Sequence, residues 1–250
     1  MDENTKIDSG IDISFFVPCL NEEKNICDSL NVILSATKET DVSYEVLVVD
    51  DHSTDRTIAV VEEFMRQHPD MPVRIIKNER INGLGRNYVD TSYHANGKHY
   101  MMVTGDNSLP EKSLVTFLYH MGEADMIVPN YAFGHDQRTF LRKLISESFT
   151  KLVNILSGYS LKYYNGETLH LRRNVVRWHS DTNGFGYQAE LLTRLLDEGF
   201  SCKEITMANN TRTNGSTSAF KIQNIFAVCH SLLQILFRRM RKELFYRKRS

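Results

Sequence analysis

The sequence predicts an α/β fold in which a mostly parallel central sheet is flanked by helices, with an amphipathic helical appendix at the C-terminus. Three observations carry this prediction. Short β-branched or aromatic runs alternate with helical stretches through the first half of the chain. These runs are continuously apolar, as strands covered on both faces of a parallel sheet are. From residue 220 onward one long helical pattern replaces the alternation.

Strands and helices are predicted in strict alternation as far as residue 128. Proline bounds several of these elements, and the pair Pro69 and Pro72 separates the second helix from the third strand. The predicted strands are Ile13–Val17, Glu45–Val49, Val73–Lys77, Tyr100–Thr104 and Asp125–Val128, and the predicted helices are Glu22–Thr37, Asp55–Gln67, Leu84–Ala95 and Glu111–Met121.

The regular alternation of strands and helices ends at about residue 138, and long amphipathic helices dominate the rest of the chain. The predicted elements are the helices Thr139–Leu156, Tyr187–Glu198 and one from Phe220 onward, the strands Thr168–Arg172 and Glu204–Met207, and a polar loop over Asn209–Ser218. No internal repeat or low-complexity linker interrupts them. We therefore predict a flexible N-terminus over residues 1–12, one α/β domain over 13–219, and a basic amphipathic C-terminal helix or helices over 220–250.

Composition places the chain among globular proteins and gives no sign of a polyanionic partner. Of 250 residues, 41% are hydrophobic and 24% are charged, with a formal net charge of −1. The charge is unevenly spread, because residues 238–249 hold seven Lys or Arg and only one acidic residue, Glu243. Such a tail is typical of an anionic surface partner, although a solvated helix end remains open. Nucleic acid is not predicted, because no stacking module accompanies the tail.

The lack of a recognisable targeting signal and the spacing of the cysteines predict a cytoplasmic protein. The N-terminus has neither a basic segment nor an apolar one, and no uninterrupted apolar run reaches the roughly 18 residues of a spanning helix. The four cysteines lack both CxxC and metal-ligand spacing, which fits reduced, packed thiols. They are Cys19, Cys27, Cys202 and Cys229.

The last helix combines an apolar stripe with the basic cluster. Apolar residues recur at a spacing of three and four from Ile222 to Met240, and the helix then runs into the cluster of Lys and Arg at residues 238–249. This pattern favours a helix that lies in an anionic membrane surface, which makes the protein peripheral on the cytoplasmic face of a membrane. The alternative is a helix packed on the core or on a second subunit of a homo-oligomer.

Candidate site residues follow the strands, because ligands of such sheets bind beyond the carboxyl ends of the strands. Pro18 is predicted to end the first strand, and Asn21 to cap a helix that Glu22 enters. Asp50 and Asp51 follow the second strand, and two adjacent carboxylates exceed what a helix cap requires. An aspartate there can accept hydrogen bonds from a nucleobase or a ribose hydroxyl.

Two glycine-bearing turns follow the third and fourth strands. Gly83 and Gly85, followed by Arg86, form a weak phosphate-binding signal, and a tight turn into a helix explains them equally well. The second turn is Thr104-Gly105-Asp106, where the aspartate is placed to hold Mg²⁺ or Mn²⁺ against a diphosphate. An Asx-turn toward Pro110 is the alternative for this segment.

The order of these motifs resembles glycosyltransferase family 2 over about residues 12–220. The resemblance implies the GT-A fold and a nucleoside-diphosphate sugar, UDP- or GDP-linked, as donor. It implies that Pro18, Glu22 and Asp50 line the nucleoside pocket and that Asp106 meets the metal and the diphosphate. The segments that carry it are Val17-Pro18, Asn21-Glu22, Asp50-Asp51-x-Ser53-x-Asp55-x-Thr57, Asn82-Gly83-Leu84-Gly85 and Thr104-Gly105-Asp106.

The second half resembles the polyprenyl-phosphate sugar transferases within that family. The matching segments are Arg142 to Ser146, Asn165-Gly166, Phe185 to Leu191 with Glu190, and Arg212 to Ser218. Two departures stand out. Thr104 replaces the first acid of the metal-binding DxD, and Thr217-Ser218 replaces a Ser-Lys pair, so one carboxylate and one cation are missing.

The resemblance implies transfer with inversion at the anomeric carbon. Arg86 and Arg212 are our candidates for cations that help to hold the diphosphate. A sugar hydroxyl acceptor needs a carboxylate base, for which Glu190 is the candidate and Asp181 the second choice. A lipid phosphate is already ionised and needs cations instead, supplied by Arg142 and Arg212 near Ser146. The acceptor is thus a polyprenyl phosphate or a glycan.

Other functions remain open at this point. A degenerate nucleotide-sugar-binding module is favoured by the thinned metal motif, and a soluble enzyme acting on a glycan hydroxyl by the carboxylate Glu190. A nucleotidyltransferase is disfavoured, because Pro18-Cys19-Leu20-Asn21 stands where a basic Gly-rich turn is required. A dehydrogenase is disfavoured by the lack of GxGxxG before the first helix.

Overall fold

The computed structural model describes residues 10–136, 140–178, 184, 186–209 and 222–245. Within these residues the chain forms seven strands and eight helices. The strands are β1 (Ile13–Cys19), β2 (Tyr44–Asp50), β3 (Val73–Lys77), β4 (His99–Met102), β5 (Met126–Asp136), β6 (Leu169–Leu171) and β7 (Cys202–Asn209). The helices are α1 (Ile26–Thr40), α2 (Thr57–Gln67), α3 (Leu84–His94), α4 (Glu111–Tyr119), α5 (Phe140–Ser157), α6 (Arg172–Val176), α7 (Tyr187–Asp197) and α8 (Ile222–Phe245).

All seven strands belong to one sheet in the order β3-β2-β1-β4-β6-β5-β7. Strands β1 to β4 run parallel, and β5 and β7 pair in parallel with each other. Only β6 is antiparallel, and it lies between β4 and β5. The predicted mostly parallel sheet flanked by helices is therefore confirmed. Strand β5 is longer than predicted, because β7 pairs with it past Pro129 as far as Tyr131 and again at Asp136.

Both faces of the sheet are buried, which explains the continuously apolar strands. Phe15 and Val17 point into a core cluster that α1, α2 and α4 cover. Phe16, between them, points to the opposite cluster, which α3, α6 and α7 cover. Successive side chains on a strand point to opposite faces, so a strand covered on both sides has no polar face.

Three predictions for the end of β1 and the start of α1 are wrong. Strand β1 continues through Pro18 to Cys19, and α1 begins at Ile26 rather than at residue 22. Asn21 is not the helix cap, because it lies five residues before α1 with a positive φ of 59°. The physical reason is that Asn21, Glu22 and Glu23 bond to the loop after β2, so the helix begins only beyond them. Helix α6, which directly follows β6, was not predicted.

A buried polar network closes the amino-terminal edge of the sheet. The Ser14 hydroxyl donates to Glu45 Oε1 at 2.7 Å, and Arg74 pairs with the other oxygen of Glu45 at 3.1 Å. Asn96 adds donors to the same carboxylate. Burial would raise the pKa of Glu45, but the hydrogen bonds from Ser14 and Asn96 and the charge of Arg74 outweigh it and hold that pKa below its ordinary value.

Replacing Glu45 with Ala is expected to lower the free energy of unfolding by about 3 kcal/mol at pH 7, because Ser14 and Asn96 lose their buried acceptor. A carboxyl whose pKa is depressed by folding stabilises the protein above its unfolded pKa and loses that contribution as the pH falls through the folded pKa. Urea unfolding of both proteins at pH 7 and near pH 3 measures this. The difference in the free energy of unfolding between the wild type and Glu45→Ala should be smaller at pH 3 than at pH 7. An equal difference at both pH values would contradict the lowered pKa of Glu45. Glu62→Ala, at an exposed site, is the control.

Helix α8 packs along the domain with one face. Ser231 and Ile235 are buried, and the Arg238 guanidinium pairs with Asp197 of α7 at 2.7 Å. At Gly186, just before α7, an added Cβ would lie 2.4 Å from Ser231 Oγ, so the two helices approach closely. The predicted alternative, a helix packed on the core, is thus confirmed for this face.

The opposite face of α8 is apolar and exposed to solvent. Helix α5, against which α8 also packs, exposes apolar side chains as well. In the part of the chain that the structure describes, no helix combines the length and apolar content that crossing a bilayer requires. The exposed apolar side chains are Phe226, Leu233, Phe237, Met240, Leu244 and Phe245 on α8, and Leu144, Ile145, Leu152 and Ile155 on α5.

Candidate active site

The carboxyl ends of β2, β1 and β4 bring two buried aspartates to one edge of the sheet. The Asp51 amide donates to the Cys19 carbonyl at 2.9 Å on one side of β1, and the Gly105 amide donates to the Pro18 carbonyl at 3.2 Å on the other. Asp50 and Asp106, 6% and 4% exposed, therefore flank the end of β1. Two strand spacings separate them, about 10 Å. That the two carboxylates share one cleft stays a prediction.

The raised pKa of the Cys19 thiol indicates that several negative charges lie at this edge. Burial raises the pKa of the Cys19 thiol far above its ordinary value, and the negative charges of Asp50 and Glu22 raise it further, followed by those of Asp55 and Asp51. Four carboxylates from two loops thus lie within electrostatic range of one buried sulfur. An edge with this charge is suited to a ligand that brings a cation or many hydrogen-bond donors.

The loops after β1 and β2 are tied to each other. The Asn21 side-chain oxygen accepts the Thr54 amide at 2.8 Å, and the Asn21 amide donates to Ser53 Oγ at 2.9 Å. The Glu22 amide donates to Thr57 Oγ1 at 2.8 Å. Asn21 therefore positions the two loops, and the backbone beside Asp50 is held rigid. That stiffness favours a preorganised binding site.

The two neighbouring aspartates after β2 have different partners. Asp50 accepts the Ser53 amide on one oxygen, at 3.0 Å. Asp51 uses both oxygens, accepting the Asn82 amide at 2.8 Å and the Gly83 amide at 3.0 Å. Asp51 consequently fixes the loop that leads into α3. Asp50 is better placed of the two to meet a ligand.

The glycine turn before α3 is a tight entry into the helix. Gly83 has a φ of 89°, a conformation that side chains disfavour, and Gly85 is buried in the first turn of α3. Arg86 is half exposed and pairs with Asp90 at 3.2 Å. The tight-turn alternative is therefore what the structure shows for Gly83. Its neighbour Asp51 places the turn at the same edge as Asp50.

The turn that carries Asp106 is anchored from three sides. Asp106 Oδ1 accepts the Ser108 amide at 3.2 Å, which is the Asx-turn that the sequence allowed. The Ser29 hydroxyl of α1 donates to the Thr104 carbonyl at 2.9 Å and accepts the Asn107 amide at 3.0 Å. Thr104 Oγ1 lies 2.8 Å from Ser108 Oγ. The turn thus holds the Asp106 carboxylate at the edge in a fixed position.

The donor set at this turn suits a hard divalent cation that a ligand helps to bind. Among the described residues no group of three His, Cys, Asp or Glu side chains is arranged to hold a metal ion. Mg²⁺ and Mn²⁺ prefer carboxylate oxygen, and Mg²⁺ is commonly held by one or two carboxylates together with substrate phosphates. Asp106 fits that description.

Glu190 lies in the first turn of α7, and that turn contacts the carboxyl end of β4. The hydroxyl of Tyr187, in the first turn of α7, donates to Met102 Sδ at 3.6 Å, and Met102 ends β4. Glu190 itself is 7% exposed. The alternative of a solvated carboxylate on the helix surface is therefore wrong, and a buried carboxylate one turn into α7 fits a base or a ligand contact.

The predicted acceptor residues are described only in part. Ser146 lies half-buried in α5. Arg142 belongs to the same helix, but its side chain lies outside the described residues, as do Arg212 and Asp181 altogether. The interpretation of these positions as acceptor contacts stays a prediction.

One carboxylate at this edge was missed. Glu167 lies two residues before β6 and is 8% exposed, and its Oε2 accepts the Tyr131 hydroxyl at 2.9 Å. The only sequence signal was an acidic residue after the Asn165-Gly166 turn, before a short apolar run. Nothing in that pattern indicates an antiparallel strand inserted between β4 and β5.

The parallel sheet, the rigid loops after its strands and the buried aspartates after β2 and β4 define a GT-A sugar transferase that uses a nucleotide-activated donor. The chain belongs to glycosyl transferase family 2, whose model matches residues 14–183. It is therefore an enzyme of that family, and the resemblance seen in the motifs is confirmed.

Curated relatives are dolichyl-phosphate β-glucosyltransferases. One from Trichomonas vaginalis is 24% identical over 91% of this chain and 71% of its own length. A second from that organism is 26% identical, and one from Dictyostelium discoideum is 23% identical. The chain spans only 50% and 54% of these last two relatives, matching over 60% and 64% of its own length.

Solved structures confirm the fold. Glucosyl-3-phosphoglycerate synthase from Mycobacterium tuberculosis, in complex with UDP, superposes with a TM-score of 0.68 at 18% identity, over 92% of this chain and 82% of that one. The same enzyme with Mn²⁺, UDP-glucose and phosphoglyceric acid gives a TM-score of 0.68 at 15% identity, with 92% and 81% covered. At this identity the likeness concerns the GT-A fold.

Proposed function

We propose that the protein transfers a sugar, with inversion, from a UDP- or GDP-linked donor to a polyprenyl phosphate at a membrane surface. The observation that carries the proposal is the placement of Asp50 and Asp106 on either side of the end of β1. The dolichyl-phosphate β-glucosyltransferases among the relatives support the lipid-phosphate acceptor. The Mycobacterium enzyme with UDP and Mn²⁺ supports the type of donor and metal.

In donor binding, the ends of β1 and β2 contact the nucleoside, and the turn after β4 contacts the diphosphate. Pro18, Glu22 and Asp50 line the nucleoside pocket, and the loop contacts of Asn21 keep that pocket rigid. Asp106 holds the diphosphate end through Mg²⁺ or Mn²⁺. When bound, that cation neutralises the charge that develops on the leaving diphosphate.

On the acceptor side, the ionisation of the acceptor decides which residues are needed. A lipid phosphate is already an anion near pH 7 and attacks the anomeric carbon without a base. Arg142 and Arg212 are proposed to hold it beside Ser146. Glu190 lies buried near the end of β4 and orients the sugar in this reaction, or serves as the base if the acceptor is a hydroxyl.

A transfer assay tests the proposal. The protein is mixed with UDP-glucose or GDP-mannose, Mn²⁺ and polyprenyl phosphate in detergent, and the lipid extract is analysed by mass spectrometry. A polyprenyl-phosphate hexose is the expected product. Transfer to phosphoglyceric acid or to a glycan with no lipid product would contradict the acceptor. Nucleotide binding without any transfer would favour a non-catalytic module instead.

The apolar stripe of α8 supports a peripheral position on the cytoplasmic face of a membrane. One face of α8 packs on the domain, so the exposed face is held outward as a rigid surface. Leu144 and Ile155 of α5 extend it. The basic residues 247–249 follow α8 in the sequence and complement anionic head groups.

Replacing Phe237 and Leu244 with Asp is expected to reduce binding to anionic vesicles at least about tenfold, because both side chains leave the apolar surface and two negative charges oppose the lipid. Both are more than half exposed, at 60% and 65%, so folding should be unaffected. Sedimentation with vesicles containing phosphatidylserine measures the effect, and Tyr119→Asp on α4 is the control. Equal sedimentation of all three proteins would contradict the membrane surface.

A further inference from the structure

We propose that helix α8 positions Glu190 for the transfer reaction through a close contact between Ser231 and Gly186, the residue before α7. Gly186 and Ser231 are positioning residues, because they act on Glu190 through the backbone of α7. This inference rests on the proposed function, in which Glu190 orients the sugar or serves as the base.

The start of α7 contacts both the sheet and α8. The Tyr187 hydroxyl, in the first turn of α7, donates to Met102 Sδ at 3.6 Å, and Met102 ends β4. The residue before the helix makes the second contact, because an added Cβ at Gly186 would lie 2.7 Å from Ser231 Cβ and 3.4 Å from Val228 Cα, both of α8. The position of this turn is therefore set by α8 as well as by β4.

Packing, and not backbone conformation, requires a glycine at position 186. Gly186 has a φ of −73° and a ψ of −12°, an ordinary helical conformation that any residue adopts. A side chain there lacks space, because its Cβ would lie 2.4 Å from Ser231 Oγ and 2.7 Å from Ser231 Cβ. Rotation about χ1 turns the serine hydroxyl aside but leaves Cβ in place. An alanine at position 186 must therefore push the start of α7 away from α8.

Glu190 follows any movement of residue 186, because an intrahelical hydrogen bond joins the two. The Glu190 amide donates to the Gly186 carbonyl at 3.3 Å. Bonds of this kind link each residue of an α-helix to the fourth one before it, so one turn moves as a unit. Glu190 is also 7% exposed, so its side chain is confined by its neighbours. A displacement of about 1 Å at a reacting centre typically costs about 10²-fold in rate.

The far end of α7 is held by the same helix. Asp197, the last residue of α7, accepts from the Arg238 guanidinium at 2.7 Å on one oxygen and from the Lys242 ammonium at 3.2 Å on the other. Helix α8 therefore contacts α7 from the residue before its first turn to its last residue. These contacts fix the direction of α7 as well as the position of its start.

A double-mutant cycle on the rate of transfer tests this contact in the full-length protein. In the transfer assay with saturating donor and Mn²⁺, Gly186→Ala should lower kcat at least about tenfold in the wild-type background. In a Ser231→Gly background the same substitution should cost less than about threefold. Both side-chain atoms of Ser231 are then gone, and the next atom, Val228 Cα, lies at an ordinary contact distance of 3.4 Å.

Nucleotide binding separates a positioning role from general damage to the fold. The affinity for UDP or GDP with Mn²⁺, measured by isothermal titration calorimetry, should change less than about twofold in Gly186→Ala, because the nucleotide is proposed to bind at the loops after β1, β2 and β4. Gly199→Ala, just beyond the other end of α7, is the matched control. Its φ is +86° and no atom lies within 4 Å of the added Cβ, so stability should fall while kcat stays within about twofold of the wild type.

Wild-type kcat in a folded Gly186→Ala protein would overturn the inference, as would an equal loss of kcat in both backgrounds or a matching loss of nucleotide affinity. Should Gly186→Ala fail to fold, Asp197→Asn takes its place, because it weakens both ion pairs between α7 and α8. That variant should lose at least about threefold in kcat with nucleotide affinity retained, and an unchanged kcat would overturn the inference equally. If the wild-type protein transfers no sugar to polyprenyl phosphate or to a glycan, the proposed function itself fails, which is a different result.

Discussion

Asp106→Asn is expected to lower the rate of sugar transfer by about 10²–10³-fold while the fold is kept. The asparagine oxygen can still accept the Ser108 amide, so the turn between β4 and α4 should persist. What the variant loses is the negative charge that is proposed to hold the cation against the leaving diphosphate. The transfer assay described above, run under saturating donor, measures the loss in kcat.

The control for this variant is Asp70→Asn, because Asp70 is exposed in the loop before β3. That protein should transfer sugar at the wild-type rate. Thermal unfolding of both variants should stay within a few degrees of the wild type. Turnover of Asp106→Asn within about threefold of the wild type would contradict the role of this carboxylate.

Gly105→Ala is expected to reduce transfer about 10²-fold by moving Asp106 rather than by removing it. An added Cβ at this position would lie 2.8 Å from the Pro18 carbonyl oxygen, closer than such contacts allow, and that oxygen belongs to the backbone of β1, so it cannot turn aside as a side chain would. The turn must therefore shift away from β1. A displacement of about 1 Å at a reacting centre typically costs about 10²-fold in rate.

The same variant should also lose about 1–3 kcal/mol in the free energy of unfolding, because the close packing of the two strand ends is strained. Gly122→Ala is the matched control: its φ is +90°, but no atom lies within 4 Å of the added Cβ, so only stability should fall. Wild-type kcat in Gly105→Ala would show that the approach of β4 to Pro18 does not position the site.

The sequence predicted the strands best where both faces of the sheet are buried, because such strands must be continuously apolar. Strands such as β1 and β2 are covered on both faces, so their apolar runs stood out, and the polar residues at their carboxyl ends indicated the edge where a site is proposed. Asp50 and Asp106 were found for this reason. Short-range rules failed for the segment between β1 and α1, because Asn21, Glu22 and Glu23 bond to the loop after β2, more than 30 residues away along the chain.

Other parts of the site depend on contacts that no local pattern encodes. The sequence predicts Asp51, like Asp50, to contact the ligand, yet the Asp51 oxygens bond the loop before α3. Ser29 holds the Asp106 turn from the middle of α1. Glu167 reaches the edge only because β6 runs antiparallel between β4 and β5. Each depends on where distant segments lie in space.

The C-terminal helix shows how one pattern can satisfy two interpretations. Its apolar residues were consistent with a membrane surface or with packing on the core, and α8 divides them between its faces. Ile235 packs inward beside the Arg238–Asp197 ion pair, while Phe226 and Phe237 remain exposed. A stripe broader than one packing face therefore leaves apolar side chains for a second partner.

Hydrogen exchange on addition of nucleotide tests most directly whether the ends of β1, β2 and β4 form one binding site. With UDP or GDP and Mn²⁺, peptides covering residues 17–23, 49–57 and 103–109 should all exchange more slowly, while a peptide over 120–125, at the opposite edge of the sheet, should not change. Slower exchange in only one of the three segments, or in none with either nucleotide, would contradict a shared nucleotide-sugar site.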